Sequence, residues 1–314
     1  MSLPLLTFEQ ALAQRCPLIL DGGLATFLEG RGHKLNDPLW SARLIQDAPE
    51  EIAAAHLAYL QAGADIILTA GYQASFPGLR AAGFTYGEAR ALMLQAVEIA
   101  ESVRNLFLSS RARAFLPMVA ASIGPYGAYL ADGSEYRGNY RLPRRVLREF
   151  HHERFALLAE SGADFLAAET VPSFLEAQVL GEMADEIGAA TWISFSCRDD
   201  EKISDGTPIR ECARLVEAHP RLTALGINCT APREISGILE ELRNVGFAKP
   251  IIVYPNAGNA YNPETKAWEP NRAKLDWGRM AGEWQRRGAA VIGGCCCVGP
   301  PEITAIKDEV RRRR

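Results

Sequence analysis

Two adjacent cysteines, Cys295 and Cys296, follow Gly293-Gly294, and a third, Cys229, follows Asn228 far upstream. Both sites come directly after short apolar runs that read as β-strands, Leu222–Ile227 and Ala289–Ile292. Thiols brought together at the ends of two strands form a three-thiolate metal site. Zinc is tetrahedral, so three protein ligands leave one position open, which is the arrangement of a catalytic zinc rather than a structural one. Spacing alone leaves other readings open: Cys296-Cys297 as the ligating pair, three buried thiols, or a redox pair at Cys295 and Cys297. A disulfide between neighbours is strained, and no C-x-x-C occurs. Cys16, Cys197 and Cys212 stand alone and are expected to be inert buried thiols.

The elements that must position these thiols are legible along the chain. Strand-like runs occur at Leu18–Leu20, Asp65–Thr69, Pro117–Ser122, Asp164–Glu169, Thr191–Ser196, Leu222–Asn228, Pro250–Tyr254 and Ala290–Gly293. Helical patterns separate and follow them, at Pro49–Gln61, Tyr86–Leu108, Pro143–Ala159, Phe174–Ile187, Ile209–Ala218, Pro232–Asn244, Leu275–Arg286 and Pro301–Arg311. The strands are apolar without polar alternation, as strands covered on both faces are. Ala62-Gly63-Ala64-Asp65 and Ser161-Gly162-Ala163-Asp164 repeat one helix stop leading into a strand, and Arg287-Gly288-Ala289-Ala290 repeats it without the acid. Eight β-then-α units in order predict an α/β fold, a single (β/α)8 TIM barrel over residues 1–314, with the metal site at the C-terminal face of the strands. An open doubly wound sheet is the alternative, but Asp21-Gly22-Gly23 does not fit its glycine fingerprint.

A barrel puts Asp21, Thr69, Ser122, Glu169, Ser196, Asn228-Cys229, Tyr254, Asn256 and Cys295-Cys296 on its rim. Glu169 ends the apolar run Phe165–Ala168, and an ionised carboxylate there needs a partner, for which a ligand ammonium is the favoured reading. Two long loops, Ile123–Leu142 and Pro255–Asn271, follow strand ends on the same face. The five histidines lie away from this rim, and His151-His152 reads as a partly exposed helix pair.

Composition sets the outer limits. The 314 residues are 48% hydrophobic and 23% charged, which is ordinary globular composition. A net charge of −4 gives no field for nucleic acid or anionic lipid. No apolar stretch is long enough to span a membrane, and Met1–Gln14 lacks a secretory pattern, so a reducing cytoplasm is the expected compartment. There, clustered cysteines point to metal or catalysis. The terminal Arg311–Arg314 run reads as a solvated helix end.

With these residues in view, the chain resembles the homocysteine S-methyltransferase family nearly end to end. The resemblance is carried by Leu20-Asp21-Gly22-Gly23, Thr69–Ser75, Ser122–Gly127, Ala131–Tyr136, Ala168-Glu169-Thr170, Gly226-Ile227-Asn228-Cys229, Tyr254-Pro255-Asn256 and Gly293-Gly294-Cys295-Cys296. It is nearest to the bacterial branch that uses S-methylmethionine or S-adenosylmethionine. It implies one Zn2+ per chain on Cys229, Cys295 and Cys296, and a homocysteine pocket in which Glu169 holds the ammonium beside Asp21 and Gly22. Thr69, Tyr72, Gln73 and Asn228 are further pocket residues on the same ground. The family often has Arg after the cysteine pair, where this chain has Cys297.

The implied chemistry is methyl transfer from a sulfonium donor to homocysteine, giving methionine. A free thiol is mostly protonated at neutral pH, and the thiolate is the nucleophile. Homocysteine sulfur in zinc's open position would be deprotonated. The donor's charge vanishes as the thioether leaves, so the site mainly positions two sulfurs. Tyr126, Tyr129 and Tyr136 are candidates to face the sulfonium. Betaine or selenocysteine chemistry on the same site, zinc-assisted hydrolysis and a non-catalytic zinc or thiol-binding protein are the alternatives. The expected partners are small-molecule substrates, with no nucleic acid and no membrane.

Overall fold

The computed structural model describes residues 6–35, 39–110, 116–259, 261–262, 267–268 and 274–312. Eight parallel strands form its centre: β1 (Leu18–Ile19), β2 (Ile66–Leu68), β3 (Met118–Ile123), β4 (Phe165–Val171), β5 (Thr191–Phe195), β6 (Leu222–Asn228), β7 (Ile251–Tyr254) and β8 (Ala289–Ile292). Each strand pairs in parallel with its sequence neighbours, and β8 pairs with both β7 and β1. A parallel bridge between Leu20 and Ile66, with Asp21 N donating to Ile66 O at 3.1 Å, joins β1 to β2 and closes the ring. The expected α/β barrel is present, and its strand ends move by only a few residues.

Side chains alternate along each strand. One parity faces the helices: Val119, Ala121, Leu166, Ala168, Ile193, Leu225, Ile227 and Val253 belong to the outer core. The other fills the barrel: Leu18, Ile66, Met118, Ala120, Phe165, Ala167, Trp192, Ala224, Ile252 and Val291 make a separate inner cluster. Continuing the inner parity one step reaches Ser122, Glu169 and Ser194, and two steps on β6, past Gly226, reaches Asn228, so alternation delivers polar groups to the top of an apolar plug. A register shift between Ala168 and Val171 adds a bulge at Glu169-Thr170, and bulges re-aim side chains.

The helix Phe8–Gln14, not anticipated, caps the base. Thr7 and Gln10 form a capping box there, and the Phe8 ring lies 5.6 Å from that of Phe165. The repeated Gly-Ala-Asp has a physical purpose at this end. Asp65 accepts from Ile19 N at 3.0 Å and Asp164 from Val119 N at 2.7 Å, each tying its own strand to the one before. Arg104 pairs with Asp164 at 2.9 Å, while Arg15 (3.1 Å) and Arg311 (2.6 Å) pair with Asp65. Arg311 is thus not a solvated helix end; it locks the last helix, Pro300–Arg312, to the barrel floor. Residues 313–314 lie outside the described residues.

Two further expectations change. His151 is fully buried, bonded to Glu176 Oε1 (2.8 Å) and Arg154 (3.1 Å); only His152 of that pair is exposed. The segment 123–142 is not one open loop, because it holds the helix Tyr126–Leu130 and a 3-10 turn, Ser134–Tyr136. Within 255–271, Tyr261–Asn262 and Ala267–Trp268 pair as an antiparallel ladder, and residues 260, 263–266 and 269–271 lie outside the described residues.

Candidate active site

The thiols of Cys229, Cys295 and Cys296 come together at the C-terminal mouth, all within 4.8 Å of one another. Cys229 follows β6 directly, with φ 46°, a left-handed conformation costly for a residue with a side chain. Asn256 Nδ2 donates to its carbonyl at 3.2 Å. The other two thiols follow β8 through the glycine pair. A Cβ on Gly294 would lie 2.1 Å from the Val298 side chain, so only glycine lets the chain turn here. Gly294 N donates to Asp21 O (3.0 Å) and Cys295 N to Pro255 O (2.8 Å), pinning the turn between β1 and β7.

Cys297 stands at the corner of this turn, closed by Val298 N donating to Cys295 O at 3.1 Å. Its φ is 63°, its N–H is held by Thr26 Oγ1 at 3.0 Å, and it is not part of the thiol cluster. Burial pushes its thiol up to about 11. The thiol that joins Cys229 and Cys295 in the cluster is therefore Cys296 and not Cys297.

Three thiols are a donor set of the kind zinc takes, and two of the three edges have the spacing it needs. With Zn–S near 2.3 Å, a tetrahedral site has S···S edges of ~3.8 Å. Cys229 to Cys296 is 3.7 Å and Cys295 to Cys296 is 3.9 Å; the third edge, Cys229 to Cys295, is shorter at 2.6 Å. Hydrogen bonds from the two neighbouring thiols hold Cys229 well below the ordinary thiol range. The same contacts push Cys295 and Cys296 well above it.

The thiols form one wall of a recess at the barrel mouth. Asp21, Gly22, Thr69, Tyr72 and Glu169, all expected from sequence, line it. Asp21 is buried, with Oδ2 accepting from Leu68 N at 2.8 Å and Oδ1 without a partner. Burial raises its pKa well above the usual carboxylate range, and the Glu169 charge adds to this. Glu169 accepts from Ser122 Oγ, and burial, then the charge of Cys295, pushes its pKa up to about 8. Without a cationic ligand Glu169 is therefore largely protonated at neutral pH, which amends its reading as an ionised group.

Two expected pocket residues sit behind the wall. Asn228 is fully buried and bonds Thr170 twice, accepting from its N–H at 2.8 Å and donating to its Oγ1 at 2.6 Å. It holds the bulge that carries Glu169. Gln73 is buried and does not line the recess, since its neighbour Tyr72 takes the inward position. Tyr126 and Tyr129 are also elsewhere, packed with Phe150 at 4.9 and 5.5 Å; of the three proposed tyrosines only Tyr136 lines the site. Sequence reasoning missed Trp40, whose φ of 48° and edge contact with Tyr72 (6.3 Å) set it in the wall. It lies in a short 3-10 segment with no periodic pattern, and an odd aromatic there was the only signal.

Comparison with known proteins agrees with this geometry. The profile described as homocysteine S-methyltransferase matches residues 18–310. The chain is 47% identical to homocysteine S-methyltransferase YbgG of Bacillus subtilis, over 92% of this chain and 93% of that protein. It is 43% identical to a selenocysteine Se-methyltransferase of Brassica oleracea, over 94% of this chain and 89% of that one. Among solved structures, the metallated form of the homocysteine methyltransferase MmuM from Escherichia coli superposes with a TM-score of 0.85 at 40% identity, covering 95% of this chain and 97% of that one.

Proposed function

The chain belongs to the homocysteine S-methyltransferase family, and from that premise we propose that it moves a methyl group from a sulfonium donor, S-methylmethionine or S-adenosylmethionine, to homocysteine, giving methionine. One observation carries the reading: a three-thiol corner opens onto the same recess as two buried carboxylates that pair with no cation among the described residues. A thiol-bearing amino acid has the groups to match both, a sulfur for the corner and an ammonium for the acids.

Cys229, Cys295 and Cys296 would hold one zinc ion, which supplies a Lewis acid that keeps an incoming thiol deprotonated at neutral pH. Glu169 and the unpaired Oδ1 of Asp21 receive the acceptor's ammonium, and its positive charge offsets the burial that raises the pKa of both acids. Asn228 and Thr170 hold the bulge that aims Glu169. Tyr72, Tyr136 and Trp40 form an aromatic wall that excludes water and can face a cation. The acceptor sulfur attacks the donor methyl in line, a new S–C bond forms as the old one breaks, and a neutral thioether leaves. The wall therefore serves alignment more than charge stabilisation. No described helix is long and apolar enough to cross a membrane, and the recess suits small-molecule substrates; a cytoplasmic setting remains part of the proposal.

The test is methionine formation from homocysteine with each sulfonium donor separately, on reduced protein assayed for zinc. Transfer with about one zinc per chain supports the proposal, and the donor ratio names the branch. Bound zinc without transfer from either donor sinks it. Selenocysteine belongs in the same assay as a competing acceptor, because a relative that covers most of this chain is named for that reaction.

A further inference from the structure

Below the carboxylate of Glu169 the barrel interior holds a set of hydroxyl groups that the transfer itself does not use. Ser122 on β3 donates to Glu169 Oε1. Tyr254, the last residue of β7, lines the recess beside Glu169, and its hydroxyl lowers the pKa of that carboxylate. Its hydroxyl in turn meets Ser194 Oγ on β5. Ser122, Ser194 and Tyr254 are essentially inaccessible to solvent. Once a bound ammonium ionises Glu169, the carboxylate only accepts, so the Tyr254 hydroxyl is left to donate to it and Ser194 to donate to Tyr254. The direction of the whole chain of bonds is set from one end.

The backbone makes room for this arrangement. Gly226 lies on β6 beside Ser194, and a Cβ there would be 2.4 Å from the Ser194 Cβ. Any larger residue would displace Ser194 from Tyr254. Underneath, the Trp192 ring meets Tyr254 edge-on at 6.5 Å and closes the space into which the phenol could drop. Four strands thus converge on one carboxylate that already has a bulge to aim it.

We infer that Tyr254 and Ser122 are positioning residues that fix the Glu169 carboxylate against the ammonium of the acceptor, and that Ser194 acts only through Tyr254. This rests on the reading of Glu169 as the ammonium partner. Each bond removes a rotamer that would turn the carboxylate away from the recess, so its loss falls on acceptor binding and spares the methyl-transfer step.

The experiment compares homocysteine with 4-mercaptobutyrate, a thiol of similar length without the amino group, in Ser122→Ala, Tyr254→Phe, Ser194→Ala, the Ser194→Ala/Tyr254→Phe double variant and Glu169→Gln. Zinc content and circular dichroism are recorded for each. The expected result is a fall of about tenfold in the kcat/KM preference for homocysteine in Tyr254→Phe and in Ser122→Ala, expressed in KM. Ser194→Ala should lose about threefold and add nothing to Tyr254→Phe, the signature of a residue acting through its neighbour. An unchanged preference in both Tyr254→Phe and Ser122→Ala, with Glu169→Gln still losing it, overturns the inference and leaves the ammonium assignment standing. An unchanged preference in Glu169→Gln removes that assignment, and the inference falls with it. Full additivity of Ser194→Ala with Tyr254→Phe overturns the role given to Ser194.

Discussion

The two ends of this barrel bury carboxylates to the same degree and treat them in opposite ways. At the base, Asp65 is 1% exposed and is met by Arg15, Arg311 and a backbone N–H. At the rim, Asp21 is 2% and Glu169 6% exposed, and no cation among the described residues pairs with either. Burial without a cationic partner raises the pKa of both rim acids. A buried carboxylate costs free energy unless it is paired. The base is electrostatically complete, and the rim is complete only when something cationic arrives. The thiols sharpen the contrast, because they too are drawn together at a cost that a divalent cation would offset. A fold assembled from one repeated unit has thus been divided into an end that holds the chain and an end that holds a ligand.

If that division is right, substitutions at the rim change function and those at the base change stability. The largest effect is expected for Cys229→Ala. Metal Lewis-acid stabilisation is worth several kcal/mol, and ~1.4 kcal/mol is a decade in rate, so transfer should fall by more than ~10³-fold. Zinc should be lost while the far-ultraviolet spectrum stays unchanged, since the thiols sit at the mouth rather than in the core. Metal analysis beside single-turnover rates checks this, and full activity in this variant would remove Cys229 from the ligand set. Asp65→Ala is its counterpart. It leaves two arginines facing a buried gap, and breaking such a network costs roughly 3 kcal/mol. Urea denaturation should show that loss, while KM for homocysteine in the folded enzyme stays as in the parent. A rate defect without a stability defect would break the comparison.

Glu169→Gln should do both things in opposite directions. KM for homocysteine should rise by about tenfold to a hundredfold, the scale of a lost charge-assisted hydrogen bond of ~1.5–3 kcal/mol. Stability of the metal-free, reduced protein should instead increase. The folded pKa of Glu169 is about 8 against an ordinary 4.5, so the folded state binds this proton more tightly. Its ionisation works against folding as pH rises from about 4.5 to about 8, because the unfolded chain releases the proton first. Glutamine removes that dependence. The gain should therefore be near zero at pH 4 and reach ~1–3 kcal/mol at pH 8, within the range of single substitutions. Thermal melts at the two pH values decide it, and equal gains at both would mean that burial is not what perturbs this group.

Much of this division could be read before any coordinates. Parallel strands covered on both faces must be apolar throughout, so all eight stood out, and Glu169 stood out because a carboxylate ends one of them. The helix stops before Asp65 and Asp164 were visible as a repeat, but their purpose was not. The bond between Arg311 and Asp65 joins residues 246 positions apart, and no local pattern encodes it. The choice between Cys295-Cys296 and Cys296-Cys297 depended on a left-handed turn at Cys297, a backbone feature with no side-chain signature. Tyr72 and Gln73 looked equivalent in the same loop, and only the turn decides which faces the recess. The short helices Leu24–Gly30, Phe76–Ala81 and Tyr126–Leu130 were missed for a related reason. Segments of one or two turns carry too little periodicity to separate from a loop.

Trp40 is where the comparison can be refined most finely, since it belongs to the rim by position yet carries no charge and no metal-binding atom. Its indole forms part of the recess wall and meets Tyr72 edge-on at 6.3 Å. Its left-handed φ of 48° is a strain the base of the barrel does not show at its own clamp. Strain of this kind persists where surrounding structure enforces it, and it gathers at ligand sites. If the indole faces the sulfonium, Trp40→Ala forfeits a cation–π contact of ~0.5–2 kcal/mol, about threefold to thirtyfold in donor KM. Homocysteine KM and zinc content should move little, because the thiol corner and the two acids are held by other elements. Trp40→Phe should recover part of the loss, as a smaller aromatic face still attracts a cation. The informative measurement is donor KM in the three proteins at fixed saturating homocysteine. A graded series from Trp through Phe to Ala places the donor against this wall. Equal donor KM values across the series, with a lowered melting temperature in Trp40→Ala, would instead assign Trp40 to the frame of the barrel.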